Sequence, residues 1–199
     1  MTQVTSIKGK KTGDNGAKNG IIITISGPHG TGKSTYARAL AKALGLRHVC
    51  AGELFRELAH EKAMTLEAFS KYAANNPEVD KLIDERTREE ATTGGVVIDA
   101  QLGAWILKND ADVKLLLVAS DEIRFKRIAG RDHISFETAK RETIAREQIQ
   151  RDRYKKYYGI DVTDHTIYDL KIDTGLQSID KTKTMIIEEV RRALAKRES

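Results

Sequence analysis

The sequence predicts a single α/β domain: a five-stranded parallel sheet with helices on both faces. Three observations predict it. Five short apolar runs alternate with stretches of helical periodicity. The first run leads into Gly27-Pro28-His29-Gly30-Thr31-Gly32-Lys33-Ser34, which fits G-x-x-x-x-G-K-[ST] at every fixed position. A helical pattern follows at once, so strand, glycine loop and helix stand in the order that motif requires.

The elements follow in order. Residues 21–25 are nearly all isoleucine and read as a buried strand. After the loop, Thr35 to Leu44 carries apolar residues at helical spacing and stops at Gly45. A second strand is expected at 47–50. Residues 53–92 then break the rhythm with three helical segments at 53–61, 65–74 and 77–90, the last opened by Pro77. Gly94-Gly95 interrupts the chain before the third strand at 96–99. The fourth strand is expected at 113–118 and the fifth at 170–173. A closing helix carries Ile179, Ile186, Ile187, Val190 and Leu194 on one face. Sheets of this kind take ligands at the carboxyl ends of their strands, so the strand ends should converge on the glycine loop.

At 199 residues the chain can bury a full core without disulfides or metals. Its one cysteine, Cys50, excludes an intramolecular disulfide and fits a reducing cytoplasm. No apolar run approaches the roughly 18 residues of a membrane span, and the first residues are too polar for a secretory signal. The net charge is +5, which suits either nucleic acid or a polyanionic small ligand. Residues 1–20 hold Lys8, Lys10, Lys11 and Lys18 against Asp14 alone and read as a disordered basic leader.

The loop residues Gly27, Pro28, His29, Gly30, Thr31, Gly32, Lys33, Ser34 and Thr35 are the candidate triphosphate site. Glycines let backbone N–H groups close on phosphate oxygens, and the helix N-terminus adds partial positive charge. Lys33 would reach the β- and γ-phosphates, and Ser34 would offer its hydroxyl to Mg²⁺. Asp99 ends an apolar strand and is a second Mg²⁺ candidate, directly or through water; its alternative is to cap the next turn. Gly52 permits close backbone approach beside Arg56, whose guanidinium could grip a second phosphate or pair with Glu53 or Glu57. Residues 140–156 hold seven Lys or Arg against three Asp or Glu. Arg146 and Arg153 lie two turns apart on one face, and Arg127 and Arg131 lie four apart just upstream. Charged helix faces are often only solvated, but together these residues read as an anion clamp of the kind phosphoryl transfer needs.

With those residues in view, the chain resembles the archaeal type of cytidylate kinase, within the nucleoside monophosphate kinase superfamily. The likeness runs from about Ile23 to Thr174. It rests on the glycine loop, on Ala51-Gly52-Glu53-Leu54-Phe55-Arg56, on Ile134-Ser135-Phe136-Glu137, on the string from Arg153 to Asp161, and on Ile167-Tyr168-Asp169-Leu170. The resemblance implies a kinase domain over 21–199, with a helical insert at 53–92 that binds the monophosphate and a lid at about 127–160. It implies transfer of the γ-phosphoryl of Mg-ATP to CMP or dCMP in the cytoplasm, by a monomer. Lys33, Arg131, Arg146 and Arg153 would serve the transfer, and Gly52, Arg56, Asp99 and Gln101 the monophosphate. The sequence departs from its relatives at Gln101, where an arginine is frequent, so either another arginine such as Arg86 or Arg88 compensates or the acceptor pocket differs; Cys50 stands where serine is common.

Two rival readings stand beside this one. Adenylate kinase uses the same scaffold. A P-loop ATPase of RNA or ribosome assembly could use the basic leader, although no strand surface interleaves aromatics with basic residues. A GTPase switch is disfavoured because Asp99 is followed by Leu102 where D-x-x-G needs glycine, and no N-K-x-D string occurs.

Overall fold

The computed structural model describes residues 4–6 and 20–198. One sheet of six strands has the order β1-β6-β5-β2-β4-β3. Its members are β1 (Val4–Ser6), β2 (Ile22–Ser26), β3 (Arg47–Cys50), β4 (Val96–Asp99), β5 (Val113–Val118) and β6 (Leu170–Asp173). The five strands read from the sequence are all present and all parallel, with β2 central between β4 and β5. The sixth differs from expectation. Val4–Ser6, within the segment taken as a disordered leader, pairs antiparallel with β6, Val4 opposite Ile172 and Ser6 opposite Leu170. The physical reason is the edge: β6 would otherwise present unpaired backbone groups, and Val4 and Thr5 are β-branched. The rest of that leader lies outside the described residues.

Side chains alternate across the sheet as a strand demands. Ile23, Ile25, Val97, Leu115, Leu117 and Ile172 face α1 (Lys33–Leu44) and α8 (Ile179–Glu198). Ile22, Val96 and Ile98 face the other way, against Leu102, the short helix α5 (Gly103–Ile106) and Tyr154. Each fully buried Ile or Leu contributes roughly 1.5–3 kcal/mol, so Ile186 and Val190 suffice to anchor α8. Ile179 does not join that face. It is 54% exposed at the first residue of the helix, before the helix meets the sheet.

Residues 53–92 fold as three helices joined by short turns, α2 (Ala51–Glu61), α3 (Leu66–Ala73) and α4 (Pro77–Thr92). They close around a separate core of Phe55, Ala59, Phe69, Ala73 and Val79, with Phe55 and Phe69 edge to face at 4.7 Å. After β5 come α6 (Asp121–Asp132) and α7 (Phe136–Tyr158). Ser120 and Ser135 cap their N-termini, and His133 turns between them at a φ of 55°. With 23 residues, α7 spans about 34 Å. That length lets one helix touch both the glycine loop and the insert.

Candidate active site

The glycine loop sits between β2 and α1, at the carboxyl edge of the sheet. Glycine is needed there for space as well as dihedral angle. Gly27 has a φ of 145°, and a Cβ on it would lie 2.2 Å from the carbonyl oxygen of Leu117. Gly30 has a φ of 79°, and its Cβ would lie 2.6 Å from the carbonyl oxygen of Arg124. The loop is fastened from α6. Arg124 donates to the His29 carbonyl at 2.8 Å, and Arg127 donates to Gly30 and to both oxygens of Thr174. Thr174 in turn donates to the Thr31 carbonyl at 2.9 Å. Lys33 opens α1, and its ammonium donates to the Pro28 carbonyl at 3.1 Å. Burial pulls its pKa down, while Asp99 and Glu147 act to hold its charge.

Ser34 donates to Asp99 Oδ2 at 2.5 Å, and the Cys50 thiol donates to the same oxygen at 3.3 Å. Asp99 is 2% exposed. Burial alone would raise its pKa, but His48, the Lys33 charge, Ser34 and Cys50 together hold it below the usual carboxylate range. Burial and the Asp99 charge push the Cys50 thiol up, so it stays protonated. A hydroxyl and an ionised carboxylate side by side are hard oxygen donors of the kind Mg²⁺ prefers when phosphates supply its other ligands.

Glu147 of α7 reaches the loop. Its Oε1 accepts from the His29 amide at 3.0 Å and from Arg124 at 2.7 Å. Burial opposes its charge, but the His29 and Arg124 hydrogen bonds and the Arg124 charge outweigh it and bring its pKa down to about 2. His29 is lowered to about 4, chiefly by burial, so at neutral pH its contact with Glu147 is a hydrogen bond and not an ion pair. A carboxylate seated on a loop amide shows that this part of the loop accepts an anion.

A cavity of about 1220 Å³ opens over Lys33 and Ser34. Thr35, Gly52, Arg56, Asp99, Gln101, Arg131, Arg146 and Arg153 all line it. Residues spread over more than a hundred positions thus meet at one place. Arg146 is pushed down by burial and by the nearby charges of Arg131, Arg56 and Arg153, with Tyr154 opposing. Arg146 thus feels three other guanidinium charges along the cavity. Arg56 is exposed, and Arg131 pairs with the adjacent Asp132 at 2.7 Å. Arg153 departs from the clamp the sequence implied. It is 3% exposed, lies 2.9 Å from Asp80, and has its guanidinium over Phe55 and Tyr154.

Gly52 lies in the first turn of α2 on the cavity wall. A Cβ there would lie 3.5 Å from Arg56, an ordinary contact. Gln101 is half-buried on the cavity wall. Neither expected substitute replaces it: Arg86 pairs with Glu90 at 3.0 Å and Arg88 donates to the Ile106 carbonyl at 3.1 Å. Sequence reasoning missed Arg124, Glu147 and Asp80. Each sits in a charged helical stretch where no spacing separates a buried partner from a solvated residue.

Residues 22–176 match the cytidylate kinase-like family. The chain belongs to that family. Among curated relatives, the cytidylate kinase of Staphylothermus marinus is 47% identical over 87% of this chain and 98% of its own length. That of Aeropyrum pernix is 46% identical over 84% and 98%. That of Archaeoglobus fulgidus is 43% identical over 84% and 93%. Solved structures show how widely the fold is shared. A shikimate kinase of Bacteroides thetaiotaomicron superposes with a TM-score of 0.59 at 15% identity, over 86% of this chain and 98% of that one. A protein of Eubacterium ventriosum reaches 0.65 at 20% identity, over 86% and 98%. Against that shared scaffold, the cytidylate kinase-like family is set apart by sequence. Among the described residues, no helix is long and apolar enough to cross a membrane.

Proposed function

We propose that this member of the cytidylate kinase-like family transfers the γ-phosphoryl of ATP to CMP or dCMP. The observation that carries the reading is the meeting of Arg56, Arg131 and Arg146 on one cavity with the glycine loop, where the buried Nε of Arg146 has no partner. Such charge is stable only opposite anions. Lys33 and the loop amides hold the β- and γ-phosphates. Arg56, on the first helix of the insert, holds the phosphate of the acceptor. Arg131 and Arg146 stabilise the charge of the group in flight, as a loose phosphoryl transition state requires. Ser34 and Asp99 are the residues that would hold Mg²⁺, which when bound neutralises phosphate oxygens. An acceptor phosphate oxygen is already a competent nucleophile, so no general base is needed.

In this reading the insert at 53–92 binds the acceptor and the lid at about 127–160 closes over ATP, with one refinement. Tyr154 packs into the sheet core, and Tyr157 and Tyr158 donate to Ala74 and Asp84 of the insert. The last turns of α7 are therefore anchored. Arg124, Arg127 and Glu147 fasten α6 and the middle of α7 to the glycine loop, so closure falls to the α6–α7 junction around Arg131 to Ser135, and it excludes water from the transfer.

A coupled assay of ADP release with Mg-ATP against CMP, dCMP, UMP, AMP and GMP tests the reading. A kcat/KM for CMP or dCMP at least about tenfold above the others is expected, a margin that one well-placed polar contact supplies. Activity led by AMP would replace the acceptor. No acceptor-dependent activity would overturn the kinase.

A further inference from the structure

One residue of α7 is fastened to the glycine loop. Glu147 is 7% exposed, and its neighbour in sequence, Arg146, lines the cavity with Lys33. Consecutive residues of a helix share their backbone, so whatever seats Glu147 also seats Arg146.

Glu147 is seated on both sides of one loop residue. Its Oε1 accepts from the His29 amide at 3.0 Å, and Arg124 donates to the His29 carbonyl at 2.8 Å. Arg124 also donates to both carboxylate oxygens of Glu147, at 2.7 and 3.3 Å, a two-pronged pair. An ionised carboxylate has no hydrogen to give, so the 3.3 Å contact with the His29 ring is a donation from Nδ1. The N–H and C=O of His29 are thus bracketed by one ion pair, itself buried on both sides. Among the described residues, no other side chain of α7 bonds the loop.

Two of the other cavity arginines are held by their own partners, Arg131 by Asp132 and Arg153 by Asp80. Arg146 is not. Among the described residues it forms no ion pair, and its buried Nε has no hydrogen-bond partner. A guanidinium of this kind is placed by the backbone that carries it. A group that meets charge developing in a transition state works best when it is placed beforehand.

We infer that Glu147 is a positioning residue for the transfer: seated on His29 and Arg124, it fixes the turn of α7 that holds Arg146 toward the phosphates of the loop. Arg146 is thereby preset, and Arg131, at the α6–α7 junction, is the group that closure adds. This rests on the reading that Arg146 stabilises the phosphoryl group in flight.

A double-mutant cycle tests it, with kcat and KM for Mg-ATP and CMP measured in the wild type, Arg146→Ala, Glu147→Gln and the double variant. Glutamine keeps the shape of Glu147 but satisfies one side of the bracket only, since its NH₂ must face either the Arg124 guanidinium or the His29 amide. Glu147→Gln should lower kcat by about tenfold while both KM values move less than about threefold. In the Arg146→Ala protein the same substitution should lower kcat by less than about threefold, because the group it positions is gone. Arg124→Lys, crossed with Arg146→Ala in the same way, should show the same pattern and serves if Glu147→Gln does not fold. It keeps the charge but loses the fork that spans His29 and Glu147. A Glu147→Gln protein with wild-type kcat would overturn the inference. So would equal losses with and without Arg146, which would mean that Glu147 shapes the loop alone. An Arg146→Ala protein as active as the wild type would instead overturn the parent reading of Arg146, and this inference with it.

Discussion

Lys33 shows how much a single residue's surroundings add to its type. The motif places a lysine after the last loop glycine, and the structure buries it beside Asp99 and Glu147, which hold its charge. Lys33→Ala should lower kcat by about a hundredfold or more, the cost of removing one preorganised donor from a transition state. Circular dichroism should be unchanged, and near-normal turnover would remove Lys33 from the site. Arg56 is exposed, and no ion pair with Glu53 or Glu57 occupies it. Arg38 takes Glu53 instead, at 3.0 Å. Arg56→Ala should therefore raise the KM for the monophosphate about tenfold or more while that for ATP moves little. A rise confined to ATP would show that the insert was misassigned. Gln101 was visible as a departure in the sequence. Its partnership with Arg86 or Arg88 was not, because helical spacing does not say which way a guanidinium turns.

At the scale of the element, α7 decides most. In the sequence its span shows only a run of charges, with Arg146 and Arg153 two turns apart on one helical face. In the structure it spends Glu147 on the glycine loop, Arg153 on Asp80, and its tyrosines on the insert and the sheet. Glu147 links stability to pH. Its carboxyl lies at about 2 in the folded protein against an ordinary 4.5. A group depressed in this way stabilises the fold above pH 4.5 and loses that contribution as pH falls toward 2. The contribution is at most about 3 kcal/mol. In Glu147→Gln, urea midpoints measured from pH 6 down to pH 2 should fall less steeply than in the wild type. An equal slope would show that Glu147 is not held by the loop. The periodicity of α7 could not reveal any of this, since a carboxylate on a helix face reads the same whether it meets solvent or an amide.

For the whole molecule, β1 is the addition that the sequence pattern did not announce. Three residues in a polar, lysine-rich stretch give no periodicity to detect. Their pairing depends on β6 offering an open edge. Cross-strand pairs contribute roughly 0.2–1 kcal/mol each, so losing the three pairs of β1 by removing residues 1–6 should lower the Tm by no more than about ten degrees. Kinetics with ATP and CMP should be unchanged, because β1 lies at the edge beyond β6 and β5, away from the glycine loop. A large fall in kcat after that truncation would tie the leader to the site. The five parallel strands, the helices of the insert and the glycine loop were legible because each is written locally, in runs, spacings and glycines. Local propensity and periodicity act over a few residues and survive without any partner. What only the tertiary structure decided is which charges meet. Arg56, Asp99, Arg146 and Lys33 converge on one cavity, while Arg153 is drawn off to Asp80 and Glu147 onto the loop. Electrostatic pairing depends on distance and burial, and neither exists until the sheet and its helices have packed.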